Sequence, residues 1–161
     1  MADTIAQVVA FYGLEGKAGE DEAETARVRR FVPDLTAETE LVLRRRVAES
    51  PTSAHFADHY GAEGDGDVHV IVRVREHQSG AEARQALAMF LAQCMSPPLP
   101  ACRDRGLSIG GHCYCDHGDP PSRIVFTRAN LFIDIASVGA TAVAVAGLAS
   151  AIDRQIEARL E

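Results

Sequence analysis

Apolar and polar positions alternate along this chain with two different periods, and the switches between them lay out its elements. In residues 4–12, TIAQVVAFY, Ile5, Val8, Val9 and Tyr12 fall on one helical face, and Gly13 is a natural stop. A second helix is predicted over GEDEAETARVRRFVP. Glu20, Asp21, Glu22 and Glu24 stand at its start, Arg27, Arg29 and Arg30 at its end, and Pro33 closes it, a charge order that complements the helix dipole. From Thr39 the period becomes two: Leu41, Leu43 and Val47 share one parity and Glu40, Arg44 and Arg46 the other, so a strand is expected with two arginines of the RRR run on its solvent face.

Residues 49–67 hold Pro51, Gly61, Gly64 and Gly66 among small polar residues and read as a long connection. DVHVIVRVR then sets Val68, Val70, Val72 and Val74 opposite His69, Arg73 and Arg75, the clearest strand in the chain. Ser79 and Glu82 form a capping box ahead of a helix striped by Ala83, Leu87, Phe90, Leu91 and Cys94, and MSPPLP breaks it. Three strands follow, GLSIGGHCYC, RIVFTR and NLFIDIAS, the last two joined tightly at Ala129 and Asn130. A final helix over about residues 140–158 aligns Val145, Leu148, Ile152 and Ile156. The order ααββαβββα predicts a single α+β domain over residues 1–161, an antiparallel sheet of about five strands packed against helices.

Bulk composition narrows the function. At 161 residues and 47% hydrophobic, the chain can bury a core without metals or disulfides as staples. Its net charge of −7 argues against nucleic acid and against anionic membrane surfaces. The first residues carry Asp3 and lack the basic and apolar stretches of a secretory signal, and the Ala- and Gly-rich run before Asp153 is too weakly apolar for a membrane span. A cytoplasmic protein is expected, unless this is the mature part of an exported one; its four cysteines would then be thiols in the cytoplasm.

Candidate chemistry concentrates in GGHCYCDHGD. His112, Cys113, Cys115 and His117 are the residue types that hold zinc, and His55 and His59 in HFADHY would add two imidazoles if that piece made a helical turn. The spacing argues the other way. Alternate residues of a regular strand lie ~6.6 Å apart, too far for two thiolates on one tetrahedral ion, so Cys113 and Cys115 more simply continue the core face of Leu107 and Ile109. A bulge at Gly110 and Gly111 would reverse that assignment. A cysteine nucleophile would be best served by Cys115 with His117, which share a face. Cys94 lies on a helix stripe, and a Cys94–Cys102 disulfide around the proline loop is credible only in an exported protein. Glu63, Asp65 and Asp67 lack the ligand pattern of a calcium loop, and no phosphate loop or nucleophile elbow is present.

The tail RIVFTRANLFIDIASVGATAVAVAGLASAID resembles the strand-strand-helix end of small bacterial α+β domains of unknown function, among them sensor-like domains of actinobacterial exported proteins. The likeness spans residues 68–158 and rests on the hydrophobic pattern and the FTRANLF turn. Element order, charge and size are also similar to type III secretion chaperones, which implies a homodimer. Neither likeness fixes a function; the reading adopted is a non-catalytic, self-associating binding module for a protein or small ligand, with no cofactor expected. A metal protein using zinc at His112 to His117 is the alternative.

Overall fold

The computed structural model describes residues 2–15, 27–50, 54–94 and 98–160. Helix α1 spans Ala2–Tyr12, and three strands follow: β1 (Leu41–Ala48), β2 (His55–Ala62) and β3 (Val70–Glu76). Helix α2 (Gly80–Gln93) leads through a short 3-10 turn at Cys102–Arg105 into β4 (His112–Cys115), β5 (Arg123–Arg128) and β6 (Leu131–Ser137), and α3 (Ala146–Glu157) ends the fold. The strands make one antiparallel sheet in the order β1-β2-β3-β6-β5-β4. The α+β class follows, with six strands where five were expected.

The additional strand is β2, which falls in the expected long connection. HFADHYGA is poor in β-branched residues and includes Ala, Asp and Gly, so composition gives little signal. Its period of two is nonetheless intact. Phe56, Asp58 and Tyr60 face one way and pair with Val74, Val72 and Val70, while β1 closes its other side. Most of the second predicted helix lies outside the described residues; of its end, residues 27–33 run without helical turns.

Two layers cover the sheet. On the first face Val70, Val72, Val74, Ile124, Phe126, Leu131, Ile133 and Ile135 are fully buried, and α3 lays Leu148, Ala149, Ile152 and Ile156 over them. The segment carrying Val28, Phe31 and Leu35 completes this layer and is tied to α3, since Gln155 accepts from Asp34 N–H at 2.9 Å and donates to its carbonyl at 2.6 Å. Each of these aliphatic side chains contributes about 1.5–3 kcal/mol by leaving water, so the first face dominates stability. On the second face α2 sets Leu87, Ala88 and Leu91 on Val125 of β5 and Phe132 of β6, and α1 packs beside it over Tyr114 of β4. The Ser79 hydroxyl accepts from Glu82 N–H at 3.2 Å, the first bond of the predicted capping box, while the Glu82 carboxylate accepts from Gln78 N–H at 3.0 Å rather than from Ser79 N–H. Among the described residues, the clusters that α1 and α2 form on the second face lie on β4, β5 and β6, and no helix packs on the second face of β1, β2 and β3.

Among the described residues no helix is long and apolar enough to cross a membrane.

Candidate functional site

The six side chains singled out in the sequence do not converge. His112 pairs with Thr127, which with Tyr114 and Val125 belongs to the second face, whereas Cys113 and Cys115 are buried on the first. They share the core of Ile109, as expected, although the expected strand over residues 106–115 forms only from His112 and Gly110 takes φ +62°. His117 is exposed in the loop after β4. His55 and His59 stand on a strand rather than a helical turn, so four residues separate them by ~13 Å instead of one turn. Four strand spacings divide β2 from β4, roughly 19 Å. Among the described residues no three His, Cys, Asp or Glu side chains stand close enough to share a metal ion.

The cysteines themselves are differently engaged. Cys113 forms a disulfide with Cys102, at a Cα–Cα distance of 5.4 Å, so Cys102 does not pair with Cys94. Cys115 and Cys94 are free. Burial raises the Cys115 thiol pKa against the opposing pull of Arg105, and burial raises that of Cys94 as well, so both stay protonated near neutral pH. Asp116 serves the loop: its carboxylate accepts from Ser122 N–H at 2.9 Å, from the Ser122 hydroxyl, and from Arg123 N–H at 3.3 Å.

A concentration of charge runs across the second face from β1 and β3 to β6 and β5. Arg73 and Arg75 of β3 share Glu49, each through Nε at 3.4 Å. Arg73 also reaches Asp134 at 3.8 Å, and Arg123 holds the same carboxylate with two bonds of 3.0 and 2.7 Å. Three guanidiniums thus share two carboxylates. Arg45, exposed on β1, has no carboxylate within ion-pair distance among the described residues. His59 lies on this face between the two sets, and burial, then Arg45 and Arg73, hold its pKa below the ordinary histidine range. The two arginines thus add to the effect of burial, while Asp58 opposes it.

Comparison with protein-family models, curated proteins and solved structures finds no match.

Sequence parity missed this face at one point. A bulge between Leu43 and Arg45 shifts the register of β1, so Arg46 lands opposite Asp58 on the first face while Arg45 turns to the second. Arg46 binds the fully buried Asp58 with two hydrogen bonds, and burial, with the Asp58 charge adding to it, pushes the Tyr60 hydroxyl up to about 12. Arg44 donates to the carbonyls of Ala62 and Asp65. Arg44 and Arg46, expected to be solvated, are exposed and in addition bond back to the sheet and its turn. Leu43 and Val47 were expected on one core face; Leu43 stays on the first face at 46% exposure, and the bulge turns Val47 to the second at 38%.

Two depressions border the sheet edges. One of about 500 Å³ lies along β1, lined by Val32, Leu35, Leu41, Leu43, Arg46 and Tyr60. Another of about 540 Å³ lies below β4, between Tyr12, Arg103, Ser108, Gly110 and Tyr114.

Proposed function

We propose that the protein is a non-catalytic binding module whose open half-sheet, β1 to β3, receives an anionic partner. The observation that carries this reading is the arrangement of Arg45, Arg73 and Arg75 on β1 and β3 around Glu49 and, across on β6, Asp134, the latter held also by Arg123 at the edge of α2. In a chain of net charge −7, a surplus of fixed guanidiniums on a face that no described helix covers opposes the overall field and selects for negative ligands at short range. The protonated state of Cys115 and Cys94 supports the non-catalytic part of the reading, because neither thiol is poised as a nucleophile.

The Cys102–Cys113 disulfide favours an oxidising compartment over the cytoplasm expected from the sequence, since such bonds persist chiefly where thiols are not kept reduced.

Titration with short poly-L-glutamate, followed by ¹H–¹⁵N spectra, tests the face. Shifts confined to β1–β3, a rise in the His59 titration midpoint on binding, and loss of both in Arg45→Glu are the expected result. Shifts clustered instead around the depression below β4, or none at all, would overturn it.

A further inference from the structure

The binding reading, on which this inference rests, leaves open how a partner is held, and the edge of the sheet supplies an answer. β1 is a terminal strand: β2 pairs one of its sides, and among the described residues no strand pairs the other. Glu49 N–H donates to the His55 carbonyl at 2.9 Å, so in this antiparallel ladder Arg46 and Ala48 turn their N–H and C=O groups outward. Such an edge is usually blunted by charge. Here Arg44 and Arg46 are folded back onto Ala62, Asp65 and Asp58, and the strand presents Val42, Leu43 and Val47 at 36%, 46% and 38% exposure.

The two faces of that edge differ in chemistry. On the first lies the depression of about 500 Å³ with its apolar lining of Val32, Leu35, Leu41 and Leu43. The second presents Arg45 between the exposed Val42 and Val47, at the border of the cationic face. A strand laid along β1 would place alternate side chains on these two environments.

We propose that β1 accepts an extended peptide as an added antiparallel strand, one whose residues alternate between apolar side chains, seated in the depression, and acidic side chains set opposite Arg45. A second copy of this chain fits less well. Antiparallel self-pairing about the middle of β1 sets Arg45 of one copy beside Arg44 of the other, and like charges placed across a strand pair destabilise it.

Calorimetry and ¹H–¹⁵N spectra of the whole chain with a short peptide alternating valine and glutamate provide the test. Across an antiparallel pair, opposed residues share a face, so the outward Arg46 and Ala48 meet the valines of the added strand. Methylating the valine amides should therefore weaken binding by about tenfold or more, while methylating the glutamate amides is tolerated. Ala48→Pro, which removes one outward donor from an edge strand, should weaken it similarly. A peptide of the same composition with its valines and glutamates in separate blocks should also bind more weakly.

If all of these peptides bind alike with shifts on β1–β3, the added strand is wrong and the cationic-face reading stands. Should no acidic peptide shift β1–β3, both fall. A concentration-dependent dimer in sedimentation that excludes the peptide would make the occupant of β1 a second copy and overturn the proposal.

Discussion

Asn130 shows how much one polar side chain can organise. It is fully buried in the turn between β5 and β6, accepts from Val28 N–H at 2.8 Å, and donates to the carbonyls of Val28 at 3.1 Å and His77 at 2.9 Å. Replacing it by alanine would strand three backbone groups away from water, each worth about 1–3 kcal/mol when unpaired. Asn130→Ala should therefore lower stability by about 3 kcal/mol or more in urea unfolding, and Asn130→Asp, which keeps an acceptor but loses the donors, by somewhat less. The sequence marks this asparagine only as a turn residue, because its partners lie 102 and 53 positions away. Gly110 is legible in part: the Gly-Gly pair signals irregular backbone, but not its cause. At φ +62° a Cβ would stand 2.7 Å from the Thr127 carbonyl oxygen and 2.8 Å from the Phe126 ring, and Asp153 holds the Gly110 N–H at 2.9 Å. Gly110→Ala should cost about 1–3 kcal/mol, seen as a lower urea midpoint with an unchanged slope.

Helices α1 and α3 were equally clear from period, yet they carry unequal loads. The apolar stripe of α3 is buried against the main core, and Asp153 on the same side binds Arg128 with two bonds of 2.8 Å. Ile5, Val8, Val9 and Tyr12 of α1 are only partly buried, so its attachment depends on Leu14, which is 3% exposed, and on the Tyr114 hydroxyl donating to the Tyr12 carbonyl at 3.0 Å. Amides of α1 should exchange with solvent well before those of α3, and Leu14→Ala should speed exchange across α1 while leaving α3 protected. A reversed order of protection would contradict this division of labour. Periodicity recovered the strands whose faces differ sharply, such as β3, and failed at β2 and at the register of β1. β2 is a strand because its neighbours supply both ladders, and the bulge in β1 inverts parity with no residue to announce it. The candidate site shares that fate: it is built from arginines on separate strands, each ordinary in sequence and brought together only by the sheet order.

For the whole molecule, covalent and protonic state can be checked together. Two of the four cysteines are joined, so denatured, unreduced protein should show two reactive thiols, and reduction should reveal all four. Cys102→Ala with Cys113→Ala should cost about 2–4 kcal/mol, the usual worth of closing a short loop. The pH dependence rests on two histidines. His77 is held below the ordinary histidine value by burial first and then by nearby His55, with Arg75 acting in the same direction and Glu82 opposing; its Nε2 is buried without a hydrogen-bond partner among the described residues. His59 is lowered by burial and by Arg45 and Arg73. In both cases the unfolded chain takes up protons near pH ~6.5 while the folded chain resists until lower pH. Their contribution to stability is therefore full above that value and is lost as pH falls through it toward the lowered folded values. The carboxylates of Asp34 and Asp65, lowered by hydrogen bonds from Thr36 and from Asp67 N–H, act in a separate window at and below the ordinary aspartate value. Between about pH 7.5 and about pH 5 the melting temperature should fall, and His59→Asn with His77→Asn should flatten that slope. A slope of the same size in the double variant would place the titrating groups elsewhere, whereas a flattened one in His77→Asn alone would assign the effect to the half-buried ring beside His55 and leave His59 free to report on an anion at the open face.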